Sequence, residues 1–254
     1  MSLVAICEAP GTSASTTTVL ALAAFAPAGR PAMVLECDPS GGDLAGWAGL
    51  HGDPSWSSAV AAPDRSWPGV YRHLQELPSG LSVMLAPSSA SRAETVVTEA
   101  ARRLAPMVGQ LDDVVAFADC GRTVAPSPWC DAAALVVVLV RQGPAAGSTV
   151  PTIDRTTELR QPLPSSSHIG LVIVGERPYP PAEIAAAVRL PLFGALPIDA
   201  PGAALAAGAW TVGRGASRTP LARAAGVVSG TIVEHLDARR ATAMPVASTN
   251  GVDA

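Results

Sequence analysis

The stretch that decides the reading is Ala9-Pro10-Gly11-Thr12-Ser13-Ala14-Ser15-Thr16-Thr17-Thr18. It follows an apolar run at residues 3–7 and leads into an alanine- and leucine-rich segment, 16–25, that ends before Pro27 and Gly29. Together these read as a strand, a loop of small residues and a helix opening on threonines. Such a junction aims backbone N–H groups and a helix N-terminus at one spot, which suits an anion. A loop that grips a triphosphate also needs glycines for its turns, a lysine against the phosphates and a Ser/Thr hydroxyl for magnesium. Here the hydroxyls stand at Thr16 and Thr17, but glycine is kept only at Gly11. In isolation the same residues also describe an ordinary strand–turn–helix connection with threonines near the N-cap.

Outward from this junction, short apolar runs alternate with helical stretches, which argues for βαβ units and a mainly parallel sheet. Strands are expected at 3–7, 32–35, 81–85, 113–118, 133–140, 169–174 and 192–196. Helices are expected at 16–25, 93–108, 153–159, 181–188, 203–207 and 220–236. The run 133–140 is the most apolar and is expected to be central. Residues 52–68, rich in tryptophan and proline, read as irregular structure or short helices without a legible role. There is no internal repeat and no interdomain linker. One domain over 1–240 is expected, and 241–254, small and polar, reads as a disordered tail.

Composition narrows the class. The chain has 254 residues, 48% of them hydrophobic and only 15% charged. That is enough for a full core, yet the longest apolar run is too short to span a bilayer, so no transmembrane segment is expected. No basic residue precedes the first apolar run, so it does not read as a signal peptide, and the expected location is cytoplasmic. A net charge of −4 does not announce a nucleic-acid binder. All 17 basic residues are arginine, so no lysine can be brought to a phosphate from elsewhere in the chain. The four cysteines form no C-x-x-C pair, which speaks against a disulfide framework.

On the loop 9–18, on Glu36-Cys37-Asp38-Pro39-Ser40-Gly41, on Asp119 after an apolar strand, on 171–174 and on Pro191-Leu192-Phe193-Gly194-Ala195-Leu196-Pro197-Ile198-Asp199, the chain resembles the ParA/MinD family of deviant Walker-A ATPases over nearly its whole length. The resemblance implies a P-loop NTPase fold: a three-layer α/β sandwich around a mostly parallel sheet. It implies ATP and magnesium as cofactors, with Gly11, Thr12, Ser13, Ala14, Ser15, Thr16 and Thr17 around the phosphates. It further implies Thr16, Asp38 and Asp119 around magnesium, and Asp38 as the catalytic candidate that positions water.

The family pattern Lys-Gly-Gly-Val-Gly-Lys-Thr-Thr, laid on by its threonines, puts Pro10 and Ser15 in place of the two lysines and Thr12 and Ala14 in place of glycines. Glu8 adds a carboxylate close to where phosphate would sit, which is repulsive unless a metal intervenes. The acids survive and the cations do not. The expected function is therefore a non-hydrolysing pseudo-ATPase acting as a binding, positioning or regulatory module through a protein partner, with a homodimer as a further option. Two rivals stay open. One is an active ATPase of partitioning, division or secretion that uses an arginine, Arg122 or Arg141 or a partner chain's, in place of lysine. The other is a non-specific DNA scaffold using Arg214, Arg218, Arg223, Arg239 and Arg240. Cys7, Cys37 and Cys120 each fall near the end of an expected strand, where ligands bind in open α/β sheets. They are either a metal or redox site or ordinary buried packing. His51, His73, His168 and His235 show no ligand spacing and are expected at the surface.

Overall fold

A computed structural model describes residues 2–8, 14–122, 127–143, 146–160, 168–208 and 218–243. Eight strands form one sheet: β1 (Leu3–Glu8), β2 (Ala32–Glu36), β3 (Gln75–Glu76), β4 (Ser82–Met84), β5 (Val115–Arg122), β6 (Leu135–Arg141), β7 (His168–Val174) and β8 (Leu192–Leu196). Their order is β3-β4-β2-β5-β1-β6-β7-β8, and every pairing is parallel except the short antiparallel edge β3–β4. The helices are α1 (Ser15–Ala24), α2 (Leu44–Ala48), α3 (Trp56–Ala61), α4 (Trp67–Tyr71), α5 (Ala90–Gly109), α6 (Pro128–Ala132), α7 (Ala146–Arg160), α8 (Pro181–Val188), α9 (Ala200–Ala206) and α10 (Pro220–Ala243).

The continuous apolar strands follow from burial on both faces. Along β1, Leu3, Ala5 and Cys7 pack into one core with α3, α5, α6 and α8. Val4 and Ile6 pack into the opposite core with α1 and α10. This is the expected three-layer sandwich. The strand β6 lies between β1 and β7, inside the sheet as its composition implies. Helix α5 buries Val97, Ala100, Ala101, Leu104 and Val108, a helical stripe that survives Pro106 in its interior.

Most differences from expectation lie in short elements, although α7 begins at Ala146, ahead of the helix expected at 153–159. Helices α2, α3, α4 and α6 and the two-residue β3 form where only loops, or at most short helices, were legible. Helix α10 continues to Ala243, past the boundary expected at 240; the rest of the expected tail lies outside the described residues. No helix among the described residues is long and apolar enough to cross a membrane.

Candidate functional site

The carboxyl ends of β1, β2 and β5 meet where the decisive junction enters α1. In register, Ile6 lies beside Asp119, Glu36 beside Asp119 and Glu8 beside Arg122. Gly11, Thr12 and Ser13, expected at the phosphates, lie outside the described residues; Ala14, Ser15, Thr16 and Thr17 are described. Ala14 is the N-cap of α1, and no side chain of a Ser or Thr caps it. Its N–H instead donates to Glu8 Oε2 at 2.8 Å. Burial pushes the Glu8 carboxyl up, while the Ala14 and Ser15 N–H groups pull it back down. A side-chain anion from β1 thus already stands at the helix N-terminus that the sequence offers to phosphate.

Asp119 and Thr16 are brought together. Burial raises the Asp119 carboxyl to about 6, against hydrogen bonds from Thr16, Ser15 and the Gly121 N–H that favour its charge. Asp38 faces the same spot, accepting the Ser40 N–H at 2.7 Å and lying so close to Gly121 that a Cβ there would sit 1.9 Å from its carboxylate. Glu36 has a different task. Its Oε1 accepts the Asp43 and Leu44 N–H groups, both at 2.8 Å, and its Oε2 accepts the Ala86 N–H at 2.9 Å. Burial still raises it to about 7. It ties the loop after β2 to the end of β4, a backbone-fastening role that its place in the motif did not reveal.

Beside α1, Thr17, Thr18, Arg141, Leu196 and Ile198 line a cavity of about 200 Å³, below the 300–1,000 Å³ usual for small-molecule sites. Asp199 caps α9 through the Gly202 N–H at 3.1 Å and accepts the Leu221 N–H at 3.0 Å. It joins α9 to α10 and also lines the cavity.

No family model and no curated protein matches this chain. Solved structures do. A ParA family ATPase from Chlorobium tepidum TLS superposes with a TM-score of 0.63 at 13% identity, covering 91% of this chain and 97% of that one. MinD in the MinC:MinD cell division complex of Aquifex aeolicus gives 0.61 at 12%, covering 91% and 96%. Cobyrinic acid a,c-diamide synthase from Mycobacterium smegmatis, with bound ATP analogue and magnesium, gives 0.63 at 19%, covering 94% and 97%. The fold is that of the ParA/MinD ATPases.

Three features bear on ATP within that fold. The Ala14 N–H is engaged by a carboxylate, no lysine exists, and the Thr16 hydroxyl is directed to Asp119. Arg122 lies beside Glu8 in register and Arg141 lines the neighbouring cavity. Of the C-terminal arginines, Arg239 donates to the Ala134 carbonyl and Arg240 pairs with Asp112 at 3.0 Å, while Arg214 lies outside the described residues. Both described interactions dock α10 onto its own domain.

The cysteine expectation needs correction. Cys7 and Cys120 do converge, but the third thiol is Cys130 of α6, not Cys37. Cys37 is buried in the same core outside that group. Interaction with the Cys120 and Cys7 thiols lowers Cys130 to about 4, whereas Cys7 and Cys120 are held well above the usual thiol range. Nothing in the spacing pointed to Cys130, which the packing of α6 against β1 brings to Cys7. The histidines also divide: His51 is exposed, but His73 bonds to Ser58 Oγ at 2.8 Å and His235 packs edge-on against Phe193. The side chain of His168 lies outside the described residues.

Proposed function

We propose that this chain is a ParA/MinD-type pseudo-ATPase, a nucleotide-independent binding or positioning module that acts through protein partners. The observation that carries the reading is the Glu8 carboxylate on the Ala14 N–H at 2.8 Å. An internal anion there repels a phosphate and satisfies an amide that would otherwise receive one. The absence of lysine removes the counter-charge that the P-loop lysine supplies to the phosphates. A partner-based role is in keeping with the MinD neighbour, whose structure is a complex with MinC.

Calorimetry with ATP and magnesium, together with a steady-state phosphate-release assay, tests this. The expected result is no saturable binding and no turnover, with the same oligomeric state by light scattering whether or not ATP is present. Glu8→Gln, which removes the charge and keeps the shape, is expected to gain weak affinity for ADP. Tight ATP binding with turnover that disappears in Asp38→Ala overturns the reading. If that turnover also disappears in Arg141→Ala, the arginine-assisted ATPase takes its place. Salt-sensitive DNA binding lost on replacing the α10 arginines would favour the scaffold.

A further inference from the structure

The thiols of Cys7, Cys120 and Cys130 come from three separate elements, β1, β5 and α6. Their sulfur atoms all lie within 4.8 Å of one another, with Cys7 and Cys130 at 3.4 Å, and none of the three residues is exposed. The group takes three of the four cysteines in the chain. We propose that Cys7, Cys120 and Cys130 form a three-sulfur site for one soft monovalent ion, with the cuprous ion as the class that fits. The site goes beyond the pseudo-ATPase reading and does not depend on it.

Geometry and ligand number decide the class. A trigonal ion with metal–sulfur bonds of about 2.3 Å holds its sulfurs about 4 Å apart, so Cys7 and Cys130 need to separate by only about half an ångström. Structural zinc asks for four donors, and among the described residues no fourth His, Cys, Asp or Glu joins the group. Cuprous copper accepts three donors and favours thiolates. Hard ions such as magnesium prefer oxygen ligands and water, whereas this group sits among Leu, Val, Ala and Trp of the core, with Asp119 acting on Cys7 but no carboxylate in the sulfur group itself among the described residues. Each copper–sulfur bond replaces an S–H bond where the thiol is protonated. The proton leaves to solvent, and neither metal nor sulfur changes oxidation state.

The test is an anaerobic titration of the reduced full-length chain with Cu(I) in the presence of bicinchoninate as a competing chelator. One Cu(I) per chain is expected to leave the chelator. X-ray absorption is then expected to show three sulfur neighbours at about 2.3 Å, and the melting temperature to rise by roughly 5 °C or more. Cys37→Ala is expected to leave binding intact. Cys7→Ala, Cys120→Ala and Cys130→Ala are each expected to weaken it by more than the roughly 100-fold typical of losing a mere supporting partner. Because these substitutions open the core, thiol mapping on the unaltered chain gives a second readout. Rapid alkylation during unfolding is expected to find Cys7, Cys120 and Cys130 protected by copper and Cys37 not. Copper retained by the chelator, nitrogen or oxygen neighbours, or protection that includes Cys37 in place of one of the three overturns the proposal.

Discussion

A Cβ added at Gly42 would lie 2.4 Å from Glu36 Oε2 and 2.7 Å from the Ala86 carbonyl oxygen. Gly42→Ala therefore has to displace either the carboxylate that three backbone N–H groups depend on or the backbone itself. A loss of about 2–4 kcal/mol is expected in chemical denaturation. Such residue-scale facts were only half legible. Asp38, Thr16 and Asp119 could be placed at one edge from their positions after strands, and they do gather there. That Glu36 fastens backbone, or that Glu8 meets Ala14, depends on where amides point, and the letters do not carry that. Cys130 was illegible for the same reason.

Short elements are set by tertiary partners. Helix α3 starts on a capping box at Ser55, and its Trp56 is fully buried, donating Nε1–H to the Glu36 carbonyl at 2.8 Å. A six-residue helix is too short to show a period, and isolated helices of that length do not persist in water. Residues 52–68 therefore gave no clear signal. By contrast β1, β6, α5 and α8 were legible, since their apolar runs or stripes continue for most of each element. Trp56→Phe keeps most of the apolar volume but orphans the Glu36 carbonyl. It is expected to cost about 1–3 kcal/mol, with faster amide exchange concentrated in α3 and the loop after β2.

For the whole molecule, three buried carboxyls at one sheet edge make stability depend on pH. Glu36 goes from 4.5 to about 7 and Asp119 from 3.8 to about 6 on folding, and Glu8 is also raised. Asp38 adds to the repulsion and Arg122 offsets part of it at Glu8. Because the folded chain holds these protons more tightly, stability is greatest where the carboxyls are protonated and falls as pH rises from about 4 to about 7. The melting temperature is expected to be higher at pH 5 than at pH 8 by roughly 5 °C, and Glu36→Gln is expected to flatten that slope. One feature of the sandwich also supplies its own optical gauge. The rings of Trp56 and Trp129 stand 5.2 Å apart, tilted by 41°, and join the connection after β2 to the one after β5. Two indoles that close exchange excitation, so the native chain should display a paired positive and negative band in circular dichroism. That couplet should vanish whenever either connection comes undone, even while the rest of the helical signal persists.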